Sequence, residues 1–445
     1  MRLGLAILLN AAVLGVLLPW LWRQWQQAGA GWWRLALVGG LGVRVVVGLL
    51  RNWTTRLDAE FMNNQGHEIT QQLWANPGQA WQLLTKPVTI IHIVNYEAVY
   101  QGMSNTWFLI KTLALLNFAS LGLGWLNGLY VSVFAFLGCW QLARTVARVF
   151  PATPAGAGVV AFLLWPSVWF WATGLSKEAL LLGSGAWFTA LVLGRLYGME
   201  TAAPAGQAGM GRQLAWGLGA IGLAWLHFKM RYFFAAPLLI LLAGVALART
   251  LQQLGLARAR WVQVAAVAAV LGLGSWLAPQ LSVAFRINKF VNQVVRVYAS
   301  DLPNLAGRPH FEYPTLQPTL ESVLAHVPQA IANAMLRPWL GESPDPRMLA
   351  AGGENLLLLL LLAVAVVATG RGRPGHLPFI LTLGLLVFCL VLAALIGLTT
   401  PNLGSLHRYR SDLIPYLLLL LLQNDYAAAA LRRLGMGPGT DQNPS

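Results

Sequence analysis

A chain of 445 residues that is 57% hydrophobic and only 10% charged, with mean hydropathy +0.59, is not a water-soluble globule. A formal charge of +15 would point to nucleic acid in a soluble protein, but most arginines here lie in short connections between apolar runs. That is the signature of membrane topology, so no nucleic-acid partner is expected.

Uncharged runs near 20 residues identify transmembrane helices, and their lack of alternation excludes a barrel. The predicted spans are 3–22, 33–50, 106–125, 127–147, 156–174, 179–197, 213–228, 232–248, 261–280, 354–369, 377–398 and 412–423. The chain therefore reads as all-α, a polytopic integral membrane protein with roughly 11–12 transmembrane helices and amphipathic helices on its outer face. Residues 1–280 form an N-terminal transmembrane module whose first outer loop is 51–105, and 281–352 form a proline-rich outer insertion. Residues 353–445 carry the last spans and a short cytoplasmic tail. Tryptophans near many span ends read as an interfacial belt. The glycine runs Gly39-Gly40-Leu41-Gly42 and Gly183-Ser184-Gly185 read as helix-packing seams. Cys139 and Cys389 lie inside apolar runs without metal-ligand spacing and read as packing residues.

In chain order, the first chemistry-bearing residue is Arg44, inside the second apolar run. An arginine at a helix centre costs about 2.5–3.5 kcal/mol on insertion scales. It either snorkels to the interface or aims a cation at an anionic group. Asp58-Ala59-Glu60 follows the same run, and a carboxylate at a membrane-edge cavity can take a proton from a hydroxyl or hold a divalent cation. The stretch from Trp165-Pro166 to Ser176-Lys177-Glu178 reads as a helix broken at proline, an aromatic rim, and an acid opening the next helix. Basic clusters at helix ends come last: His227, Lys229 and Arg231, then His407, Arg408 and Arg410. Guanidinium groups there suit a phosphate or pyrophosphate leaving group.

If the arginine-bearing connections at 144–148, 249–260 and 371–373 are cytoplasmic, these clusters and the insertion share the opposite face. Three apolar segments separate Asp58 from Glu178, so both acids serve one site only if one segment fails to cross. The predicted exception is 106–125, which holds Lys111 and Asn117.

The order of these features resembles the GT-C superfamily of membrane glycosyltransferases, in its bacterial polyprenyl-phosphate-sugar-dependent, mannosyltransferase-like branch. The carrying residues are Arg44 then Asp58-Ala59-Glu60, Leu142-Ala143-Arg144, Trp165-Pro166 with Lys177-Glu178, and Arg408-Tyr409-Arg410 ahead of Pro415. The chain departs in one extra leading helix and in Glu178 where aspartate is more usual. The resemblance implies sugar transfer from a polyprenyl-phosphate donor to a hydroxyl of a lipid, glycan or protein acceptor, with inversion. Asp58 would be general base, with Glu60 and Glu178 beside it. Arg44, Lys177, Lys229, Arg231, His407, Arg408 and Arg410 would hold the phosphate. The resemblance fixes no cofactor; a divalent cation, magnesium or manganese, is compatible with the acids. The implied location is a bacterial inner membrane, with the site facing the periplasm. A Wzy-like polymerase or O-antigen-ligase-like enzyme is the alternative, followed by a flippase for lipid-linked sugars.

Overall fold

The structure is a computed structural model that describes residues 1–29, 31–54, 56–85, 88–93, 96–101, 104–198, 209–305 and 307–437. The end of the predicted tail, 438–445, lies outside the described residues. Helix α1 (Arg2–Gln27) descends to one end of the molecule, where Trp140 donates to Gln24 at 2.9 Å and Arg144 lies over the Trp33 ring. This is the far end. Helix α2 (Trp32–Thr54) returns and delivers Arg51 to the opposite, or site, end.

At the site end the chain forms α3 (Arg56–Ala75), α4 (Pro77–Thr85), an antiparallel hairpin and α5 (Asn105–Ser120). The hairpin pairs β1 (Val88–Ile93) with β2 (Tyr96–Gln101), Val88 opposite Gln101. It is the one pair of strands among the described residues, and the chain is otherwise all-α.

Helix α6 (Gly124–Val149) crosses to the far end. The chain returns through α7 (Ala155–Val159), a π-helical turn over Val160–Leu164, and α8 (Pro166–Trp171). The predicted span 156–174 is thus split. Trp165 is held extended by the proline that follows it, and Pro166 cannot donate a helical N–H. Next come α9 (Lys177–Tyr197), α10 (Met210–Met230), α11 (Tyr232–Gln253) and α12 (Arg260–Leu281).

Eight helices among the described residues are long and apolar enough to cross a membrane, and a bent pair near the C-terminus brings the number to nine. Of the predicted spans, 106–125, 156–174, 213–228 and 412–423 fall outside the eight. Helix α10 is still about 31 Å long, and its last turns pack antiparallel on the start of α9 through Arg231 with Glu178 and His227 with Leu181. Helix α5 differs. Lys177 donates to Asn105 and Thr106 at its start (3.1 and 2.6 Å), while Asn127 of α6 donates to Asn117 near its end (2.6 Å). A Cβ on Gly128 would lie 3.4 Å from the Leu175 nitrogen, so both ends of α5 sit beside the start of α9. Helix α5 therefore stays at the site end.

Helices α6 and α9 cross in near backbone contact. A Cβ on Gly138 would meet the Gly183 carbonyl at 2.0 Å, and one on Gly183 would meet the Ala135 Cα at 2.8 Å. Gly185 leaves room for the His227 ring. The Gly39–Gly42 run is less of a seam: Gly40 approaches Phe136 and Leu163, while Gly39 and Gly42 face nothing within 4 Å.

The insertion contains α13 (Ile287–Asp301) and α14 (Leu320–Leu336). Helices α15 (Pro346–Gly370) and α16 (Phe379–Thr399) then cross down and up. The short α17 (Leu403–Tyr409) leads to α18 (Ile414–Leu421), and α19 (Asp425–Arg433) is bent 97° from α18 at the far end. The insertion is pinned to the end of α16 and the start of α17. The Tyr313 hydroxyl donates to the Gly397 carbonyl (3.1 Å), Phe311 N–H to Pro401, and Leu403 N–H to Pro309.

Candidate functional site

Four stretches far apart in sequence deliver charge to the site end. Ser176 caps α9 by accepting from the Ala179 N–H, which sets Lys177 and Glu178 in the first helical turn. The turn that begins α11 brings Arg231, and α17 brings His407 and Arg408. Arg51 closes the wall. Its Nη1 donates to the carbonyls of Phe170, Trp171 and Thr173 at 2.8–2.9 Å, fixing the loop that precedes α9.

The centre of the cluster is Glu178, only 4% exposed at its side chain. Its Oε1 lies 2.8 Å from Arg231 Nη2 and 3.5 Å from Arg408 Nε. Both guanidiniums flank the Tyr409 ring, with Cζ 3.9 and 4.9 Å from its centroid. Burial alone would lower the Arg408 guanidinium, but Glu178 and the Tyr409 hydroxyl hold it above its ordinary value. It stays cationic across the working range. Asp58 is exposed and makes no hydrogen bond or ion pair with the described residues, yet it is close enough for its charge to act on Lys177 and Arg408. Asp58 is thus an exposed carboxylate on the first turn of α3, at the same end of the bundle as these cations.

A second carboxylate, Glu354 of α15, accepts from the Trp165 indole and the Ser167 hydroxyl. Its other oxygen lies 3.7 Å from His407 Nε2. The Trp171 indole donates to His407 Nδ1 at 3.1 Å, so a neutral His407 carries its proton on Nε2, towards Glu354. Trp165 and Trp171 are thus polar wall groups of the site rather than belt residues alone. Behind Glu178, both carboxylate oxygens of Asp412 are buried without a hydrogen-bond partner among the described residues, in the field of Arg231 and Arg408.

The structure brings Lys177, Glu178, Arg231, His407 and Arg408 together, and leaves Asp58 exposed on α3 at the same end, in no direct contact with them. It does not bring Arg44. That side chain is fully buried in the bundle, donating to the carbonyls of Ala172 (2.7 Å) and Phe162 (3.1 Å) and to Cys139 Sγ. Arg410 is also turned away, donating to the Arg337 carbonyl at 2.7 Å, and burial pushes its guanidinium down to about 10 while Glu354 opposes the shift. Lys229 lies beside Lys111 of α5, and Glu60 is exposed on α3. Glu354, Asp412 and Arg51 complete the site without having been weighed as site residues from sequence. Glu354 and Asp412 are each the last acid before a long uncharged run, a signal that sequence does carry.

Glu178 is taken by two arginines and Glu354 by an indole, a hydroxyl and an imidazole. Among the described residues no three His, Cys, Asp or Glu side chains gather closely enough to bind a metal ion. Comparison with known protein families, curated proteins and solved structures finds no match.

Proposed function

We propose that the chain is a membrane glycosyltransferase that moves a sugar from a polyprenyl-phosphate donor to an acceptor hydroxyl, with Asp58 as general base. The observation that carries this reading is an unpaired carboxylate set against a surplus of cations at one end of a helical bundle. Arg231 and Arg408 pair with the single carboxylate of Glu178, and Lys177, turned to Asn105 and Thr106, adds a third cation beside it, a local excess of two positive charges at that acid. That local excess suits a phosphate. Asp58 takes the proton of the acceptor hydroxyl, whose oxygen bonds to the anomeric carbon from the face opposite the phosphate. The bond between that carbon and the phosphate oxygen breaks, the anomer inverts, and the polyprenyl phosphate leaves against Lys177 and the two arginines. Glu178 is a positioning residue here, because an acid shared by two guanidiniums is a poor base. Arg144, Arg148, Arg195, Arg249, Arg258, Arg371 and Arg432 gather at the far end, which supports a cytoplasmic far end and a periplasmic site in a bacterial inner membrane.

Purified protein in liposomes, supplied with polyprenyl-phosphate sugars, tests this. Asp58→Asn is expected to lower transfer by about 10²–10⁴-fold at normal expression. Full transfer by that variant would remove Asp58 as base. If substitutions at Arg231 and Arg408 then still abolished transfer, the polymerase-like or ligase-like alternative would stand.

A further inference from the structure

The far end holds a cavity of ≈ 430 Å³ that the sugar-transfer reading does not use. It opens where α6, α9 and α11 end and where α12 and α16 begin. Three guanidiniums line it, those of Arg249, Arg258 and Arg260, along with the amides of Gln252 and Gln263, and no Asp or Glu does so among the described residues. Arg249 is accounted for locally: it lies over the Tyr197 ring at 4.8 Å, where helix ends present carbonyls. Arg260 likewise lies over a ring, that of Phe379, while Arg258 has no such contact among the described residues. They stand at the start of α12, where the macrodipole opposes a cation, and both are exposed. The N-cap residues Ala259 of α12 and Pro378 of α16 make no side-chain cap, so backbone N–H groups of two helix starts face the cavity opposite the carbonyl ends of α6, α9 and α11. Like charges gathered without an acid repel one another, and an anion in the cavity removes that cost. The wall beneath is apolar, with Phe379 under Arg260 at 5.2 Å and Phe150 beside it.

We infer that this cavity binds a phosphate-bearing anion at the membrane boundary, as the headgroup of an anionic phospholipid with its chains along the apolar wall. The site is independent of the sugar-transfer reading. The test is native mass spectrometry of the full-length protein with phosphatidylglycerol or phosphatidylcholine. The double variant Arg258→Gln/Arg260→Gln is compared with Arg432→Gln/Arg433→Gln, which removes equal charge elsewhere on the same end. Wild type and the Arg432/Arg433 variant are expected to retain phosphatidylglycerol over phosphatidylcholine. The Arg258/Arg260 variant should lose about thirtyfold in that retention, roughly fivefold per arginine. Millimolar inorganic phosphate separates the two sources: lipid retained in its presence assigns the site to a headgroup, and displacement assigns it to free phosphate. Equal retention by wild type and the Arg258/Arg260 variant overturns the inference, as does an equal loss in both double variants.

Discussion

Arg44 directs its guanidinium at the carbonyls of Ala172 and Phe162, tying α2 to the loop before α9 and to the π-helical turn. Such a group is costly to bury and costlier to remove alone, because its partners stay behind unsatisfied. Arg44→Ala is expected to destabilise by about 1–3 kcal/mol for each carbonyl left unsatisfied, and Arg44→Met by less because it fills the volume. Thermal unfolding in detergent reads both, and an unchanged midpoint for Arg44→Ala would refute the structural role. Glu178→Gln keeps the size of the acid but frees both arginines from a fixed charge. It is expected to raise the donor KM by about tenfold with a smaller change in kcat. A fall in kcat at constant KM would instead make Glu178 a participant in chemistry. The residues legible from sequence share one trait: Asp58, Lys177, Arg231 and Arg408 are charges at the edge of apolar runs. Glu354 and Asp412 have the same trait but sit on the first turn of runs read as spans, and only the three-dimensional convergence reveals their partners. Arg44 shows the limit of the rule, because sequence places a charge in a helix without saying which carbonyls surround it.

At the scale of elements, the contact of α6 with α9 sets the position of the site, because α9 carries Lys177 and Glu178 at its first turn. Gly138 and Gly183 permit that contact, and a side chain at Gly138 has nowhere to go but into the Gly183 carbonyl. Gly138→Leu is expected to cost at least the upper end of about 1–3 kcal/mol, with loss of folded protein in size-exclusion profiles. Gly39→Leu, facing nothing within 4 Å, should leave them unchanged. A second seam joins the insertion to α16, where a Cβ on Gly397 would meet the Ala330 carbonyl at 2.1 Å. Most helix boundaries follow from hydropathy, since an apolar run in lipid has one low-energy conformation. The exceptions have local causes. Pro166 breaks one predicted span, and α5 keeps its asparagines for partners at the site end. Asn127 donates to both Asn63 and Asn117, and Asn63 to the Gly122 carbonyl.

For the whole molecule, the two ends differ in kind. The far end gathers arginines in short turns and a basic cavity. The site end gathers mixed charge under an insertion that pins α17 in place. Sugar transfer as proposed requires Asp58, which precedes α5, to share its side of the membrane with Lys177, which follows the α6 crossing and the return through α7 and α8. That holds only if α5 does not cross. Single cysteines at positions 58, 177 and 195, labelled with a membrane-impermeant maleimide in sealed vesicles of known orientation, measure this directly. Positions 58 and 177 are expected to react from one side and position 195 from the other; reaction of 58 and 177 from opposite sides would contradict the one-sided site.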